Sequence, residues 1–112
     1  MNFEFIYKIC LKSEWLIAKK NKKFTGTKKD LEDRFIHFSD KVQIFGTLKK
    51  YFFKQKDLVL LKVEALELDN LVYEQSSDGN MFPHLYAHLD ISNVCNDYEI
   101  NTNKEGNHIL PI

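Results

Sequence analysis

A chain of 112 residues that is 44% hydrophobic, with nine Phe, five Tyr and one Trp, can build one core and carries too much bulky apolar side chain to stay unfolded. Sixteen Lys and Arg balance sixteen Asp and Glu, so no overall field draws the molecule onto nucleic acid or an anionic membrane, and any electrostatic site must be local. There is no run of eighteen apolar residues, MNFEFIYKIC has no basic leader, and Cys10 and Cys95 lack C-x-x-C spacing, which predicts a cytoplasmic protein with reduced thiols, no membrane span and no zinc knuckle.

Phe3 to Cys10 is aromatic and β-branched and predicts a first strand. Ser13 is expected to cap a helix from about Glu14, with Trp15 and Ala18 on its inner face and Lys19 and Lys20 at its carbonyl-rich end. From Asn21 to Asp30, four lysines surround Thr25-Gly26-Thr27, a composition that reads as a solvated loop. Phe35 to Ser39 predicts a short strand. Ser39 or Asp40 then starts the principal helix, which runs to about Phe53 with Ile44, Leu48, Tyr51 and Phe52 turned inward.

Asp57 to Glu64 contains the unbroken run Leu58-Val59-Leu60-Leu61, which predicts a central strand covered on both faces. Leu71 to Glu74 reads as another strand and Ser76 to Gly79 as a turn. From Pro83 the chain alternates, with His84, Tyr86 and His88 pointing one way and Leu85, Ala87, Leu89 and Ile91 the other. Beyond Val94 it is Asn-rich and weakly patterned, with His108 to Ile112 expected to dock as an edge strand. No repeat is visible, so residues 1–112 read as one domain with a polar segment at 95–112.

Residues two apart on a strand share a face, so His37 pairs with Ser39 and His84 with Tyr86, and strands facing one cleft would give a polar pocket. Glu74 would supply its carboxylate as acid, base or hydroxyl acceptor. Each residue also has a plainer use: His37 donating to a core carbonyl, Ser39 capping a helix, His84 closing the turn after Pro83. On a strand, His84 and His88 stand about 13 Å apart, which argues against a shared metal ion. The lysines from Lys19 to Lys29 around Phe24 could hold phosphates with the ring stacked on a base, but neutrality and the lack of an RNA-module signature argue against nucleic acid. Ser39 lacks a G-x-S-x-G elbow and is not expected to be a hydrolase nucleophile.

The segments FIHFS, DLVLLKVEALELDNLVYE and FPHLYAHLDISNV, in this order and spacing between about Ile6 and Val94, closely resemble the uncharacterised bacterial family catalogued as domain of unknown function 952. The resemblance implies an ADP-ribosyltransferase-like α+β fold, with two small, mostly antiparallel sheets and two helices around an NAD-binding cleft. A more distant likeness to RNA 2′-phosphotransferases matches Lys8-Ile9-Cys10, the Trp15 helix and Ile36-His37-Phe38-Ser39. It would put His37 and Ser39 on the nicotinamide side and Arg34 near a phosphate-binding arginine. Lys8 stands where those enzymes carry the histidine that holds the NAD ribose, and Arg34 and Ala87 stand where the uncharacterised family usually has Gly.

Together these readings predict a pocket for a nucleotide-like or phosphorylated small molecule, with NAD or a related nucleotide as the cofactor the resemblance suggests. Glu74 and His37 are the candidate catalytic residues, and Ser39, His84, Tyr86, Lys8 and Arg34 the candidate ligand contacts. The activity expected is an ADP-ribosyl- or phosphotransferase; the alternative is a non-catalytic binding or regulatory module on the same fold.

Overall fold

The computed structural model describes residues 3–112. In chain order the elements are β1 (Phe5–Leu11), α1 (Lys12–Asn21), β2 (Lys23–Phe24), α2 (Lys28–Asp33), β3 (Ile36–His37), α3 (Ile44–Tyr51), β4 (Leu58–Glu64), β5 (Leu71–Gln75), β6 (Met81–Leu85), β7 (Leu89–Asp90), a 3-10 turn (Ile91–Asn93), β8 (Val94–Thr102) and β9 (His108–Ile109). The fold is α+β. A four-stranded sheet runs β1-β4-β8-β9, a three-stranded sheet β3-β6-β5, and β2 clips to β7; every pairing is antiparallel. No helix among the described residues is long and apolar enough to cross a membrane.

The core follows from the period-two alternation of β1 and β4. Ile6, Cys10, Val59, Leu61 and Val63 face one side, where Trp15 and Ala18 of α1, Phe24, Ile36, Phe38, Leu85 and Leu89 cover them. Tyr7, Ile9, Leu58 and Leu60 face the other, beneath Ile44 and Leu48 of α3 and Ile100 of β8. The run Leu58 to Leu61 is thus buried on both faces.

Several local expectations change. Ser13 lies inside the first turn of α1 rather than capping it, because the Glu14 carboxylate reaches back to the Leu11 amide at 2.7 Å. The lysine-rich stretch is a loop only at residues 25–27: β2 buries Phe24, which rules out its stacking on a base, and Thr27 and Asp30 cap α2 reciprocally, each side chain accepting from the other's amide. Ser39 exchanges backbone hydrogen bonds with Tyr7 instead of opening α3, which begins at Ile44; Asp40 and Gln43 close the turn before it through reciprocal bonds of 2.9 and 3.0 Å. Tyr51 turns outward, and there are three α-helices rather than two. The alternating run from Pro83 breaks between β6 and β7, leaving His88 exposed. The weakly patterned segment after Val94 is the nine-residue strand β8, paired along β4.

Leu60 is fully buried, so Leu60→Ala is expected to destabilise the protein by about 2 to 5 kcal/mol in denaturant unfolding. A loss below about 1 kcal/mol would mean that β4 is not enclosed on both faces.

Candidate functional site

Lys8 projects from β1 on the same side as Ile6 and Cys10, which aims an ammonium into the core. Its side chain is 5% exposed, and Asp30 meets it with Oδ2 at 2.8 Å and Oδ1 at 2.9 Å, while the His37 carbonyl accepts a further bond at 2.9 Å. Asp30 also accepts from the Thr27 amide at 2.8 Å, the His37 amide at 3.1 Å and His37 Nδ1 at 2.6 Å. Burial alone would raise the Asp30 carboxyl, but the His37 hydrogen bond and the Lys8 charge outweigh it and hold the group well below the usual carboxylate range. Gly26 makes this approach possible: its φ is +124°, and a Cβ there would come within 2.8 Å of Asp30 Cβ. The second ring nitrogen of His37, Nε2, lies 2.9 Å from Asp33 Oδ2.

The three-stranded sheet sets His84 opposite both His37 and Val72. His84 Nδ1 bonds Glu74 Oε1 at 2.8 Å, and the Tyr86 hydroxyl donates to the same oxygen at 2.6 Å. These bonds, Tyr86 first and then His84, hold the Glu74 carboxyl below its ordinary value, while the bond to Glu74 raises the Tyr86 phenol. Phe35 packs against all three rings, with centroids 4.1 Å from His84, 4.5 Å from His37 and 5.2 Å from Tyr86; the two imidazoles are 5.4 Å apart and edge-on.

The two larger sheets meet at the Tyr7–Ser39 bridge, and beside it lies a cavity of about 670 Å³. Lys8, His37, Ser39 and His84 line it, with Thr27, Asp30, Gln43, Gly46, Thr47, Lys29, Lys50 and Tyr51 among the other wall residues. Ser39 Oγ and Thr47 Oγ1 are 3.0 Å apart. Glu74 and Tyr86 do not line the cavity; they reach it through His84. Arg34 does not line it either, and sits in left-handed conformation (φ 68°) at the end of α2. Cys10, its thiol pushed up to about 12 by burial, has no thiolate to offer at neutral pH. No three His, Cys, Asp or Glu side chains among the described residues are placed to hold a metal ion.

Asp30 and Thr47 belong to this site but were not singled out from the sequence. Asp30 carried one readable sign, the T-x-x-D capping pattern at 27–30.

A family model described as protein of unknown function (DUF952) matches residues 9–96. The chain is similar to protein CC0527 from Caulobacter crescentus: against its crystal structure the identity is 40%, the TM-score 0.88, and 94% of this chain and 93% of that one are covered. Against the solution NMR structure of CC0527 the identity is 41% and the TM-score 0.82, covering 93% and 90% of the two chains. No curated protein matches.

The Asp30 carboxyl is lower in the folded chain than its ordinary value of 3.8, so the stability it contributes is fully present above about pH 5 and is lost as pH falls through and below 4. Asp30→Asn is expected to remove about 3 to 5 kcal/mol at neutral pH, because Lys8 is left without its counter-charge, and to flatten the acid limb of the stability profile. Urea midpoints measured from pH 7 to pH 2 would check this; an acid limb as steep in the variant as in the wild type would contradict it.

Proposed function

The chain belongs to the DUF952 family of proteins of unknown function, and we propose that in it the cavity beside the Tyr7–Ser39 bridge binds a nucleotide-like or phosphorylated small molecule. The observation that carries this reading is the cavity itself, whose volume of about 670 Å³ falls in the ordinary range for small-molecule sites and whose wall combines aromatic surface with convergent polar groups. Hydroxyls of Thr27, Ser39 and Thr47 and the His84 imidazole suit a sugar or base. Lys29 and Lys50, from different helices, lie 5.9 and 5.2 Å from the Tyr51 ring and suit an anionic end.

Gly46 supports the same reading. Glycine inside a helix costs about 1 kcal/mol relative to alanine, yet a Cβ at Gly46 would meet nothing within 4 Å. The missing side chain leaves the cavity wall open.

An ADP-ribosyltransferase-like arrangement, with sheets about a cleft, is part of this proposal and is the reason to expect a nucleotide-shaped ligand. NAD held in the manner of those enzymes does not fit the residues present. Lys8, at the position of the ribose-holding histidine, has no acceptor and directs its ammonium to Asp30 and the His37 carbonyl. That observation favours a binding or regulatory module over an NAD-consuming transferase.

Isothermal titration with ADP-ribose, AMP and ribose 5-phosphate tests the reading. At least one should bind with a Kd of about 1 mM or tighter, and Gly46→Leu, which fills the cavity from an open helix position, should weaken it by about tenfold or more without lowering the melting temperature. Nicotinamide release from NAD should stay at the rate without protein. Absence of binding by all three ligands, or undiminished binding by Gly46→Leu, would refute the assignment of this cavity.

A further inference from the structure

The two imidazoles that line the cavity are not equivalent. His37 has both ring nitrogens against carboxylates, Nδ1 on Asp30 and Nε2 beside Asp33. His84 has one such partner, Glu74 on Nδ1, and its Nε2 makes no hydrogen bond among the described residues. No buried side-chain nitrogen or oxygen among those residues lacks a partner, so the Nε2 of this largely buried, cavity-lining ring is accessible.

The chemistry of Glu74 decides which atom of His84 does what. A carboxylate accepts hydrogen bonds and cannot donate them, and the Tyr86 and His84 bonds keep Glu74 ionised at neutral pH. Nδ1 is therefore a donor, and in the neutral form of the ring that leaves Nε2 as a lone-pair acceptor. Phe35, 4.1 Å from the ring, and the pairing of β6 with both β3 and β5 fix the plane in which that lone pair points.

We propose that His84 is the ligand-contacting acceptor of the cavity, that Glu74 and Tyr86 are positioning residues acting through it, and that the ligand is one presenting a hydroxyl to Nε2, as a ribose or another polyol does. This rests on the pocket reading above and adds to it the group that recognises the ligand. Glu74, outside the cavity wall, sets the tautomer and does not touch the ligand.

Paired substitutions separate this role from a structural one. His84→Asn retains a polar group near the Nδ1 position, where Glu74 is met, but has no atom at Nε2. His84→Gln reaches the Nε2 position and presents an amide oxygen there. With whichever of ADP-ribose, AMP and ribose 5-phosphate binds the wild type, His84→Asn is expected to weaken binding by about tenfold and His84→Gln to recover most of that loss, the effect of one ligand hydrogen bond. Glu74→Ala should weaken binding by about threefold to tenfold, and Glu74→Gln, which still presents an oxygen to Nδ1 and Tyr86, should restore it, with melting temperatures unchanged in both. Wild-type affinity in His84→Asn, or equal losses in His84→Asn and His84→Gln, would overturn the assignment to Nε2 while leaving the pocket reading intact. If none of the three ligands binds the wild type, the pocket reading falls and this inference with it.

Discussion

The ion pair between Lys8 and Asp30 is the constraint on which the rest of the arrangement depends. An ammonium on the inner face of β1, between Ile6 and Cys10, would be untenable in that core without a counter-charge. Asp30 supplies it, and with its remaining acceptor capacity also takes the Thr27 amide, the His37 amide and the His37 ring. One carboxylate thereby ties β1, the start of α2 and β3 together. Removing one partner would leave a bare charge in the core. The pair's main effect is to define geometry. Gly26 is the local concession to it, the residue that lets the backbone pass beside Asp30.

From that constraint follows the difference between the two histidines. Asp30 and Asp33 engage both nitrogens of His37, while the β5–β6 hairpin sets His84 against Glu74 through Nδ1 alone. The cavity therefore has a wall that is partly fixed, by Lys8, Asp30 and His37, and partly open, at His84 and the Ser39–Thr47 hydroxyl pair. The same constraint makes Lys8 a structural cation.

Legibility in the sequence varied with how local the deciding interaction is. The apolar run Leu58 to Leu61, the Leu71–Glu74 strand, the Ser76–Gly79 turn and the inward face of α1 at Trp15 and Ala18 could all be read, because strand period, turn chemistry and helix spacing are local signals. Strand β8 could not. Asn96, Asp97, Glu99 and Asn101 are poor strand formers, and the pairing is imposed by β4, with Trp15 Nε1 donating to Asp97 at 2.7 Å. The lysines between Lys19 and Lys29 hid β2 and α2 because composition outweighed the cap at Thr27. In the site, the same-face spacing of His37 with Ser39 was readable. The Lys8–Asp30 pair joins residues 22 apart that no pattern connects.

Whether Asp30 and Glu74 make His37 a held ring and His84 a receptive one is read directly from the ¹⁵N signals of the imidazole nitrogens, with and without ADP-ribose. The neutral His84 ring is expected to carry its proton on Nδ1 with Nε2 bare, and adding the ligand is expected to shift His84 Nε2 while leaving both nitrogens of His37 in place. A His84 protonated on Nε2 instead of Nδ1, or a ligand response at His37 with none at His84, would contradict this assignment.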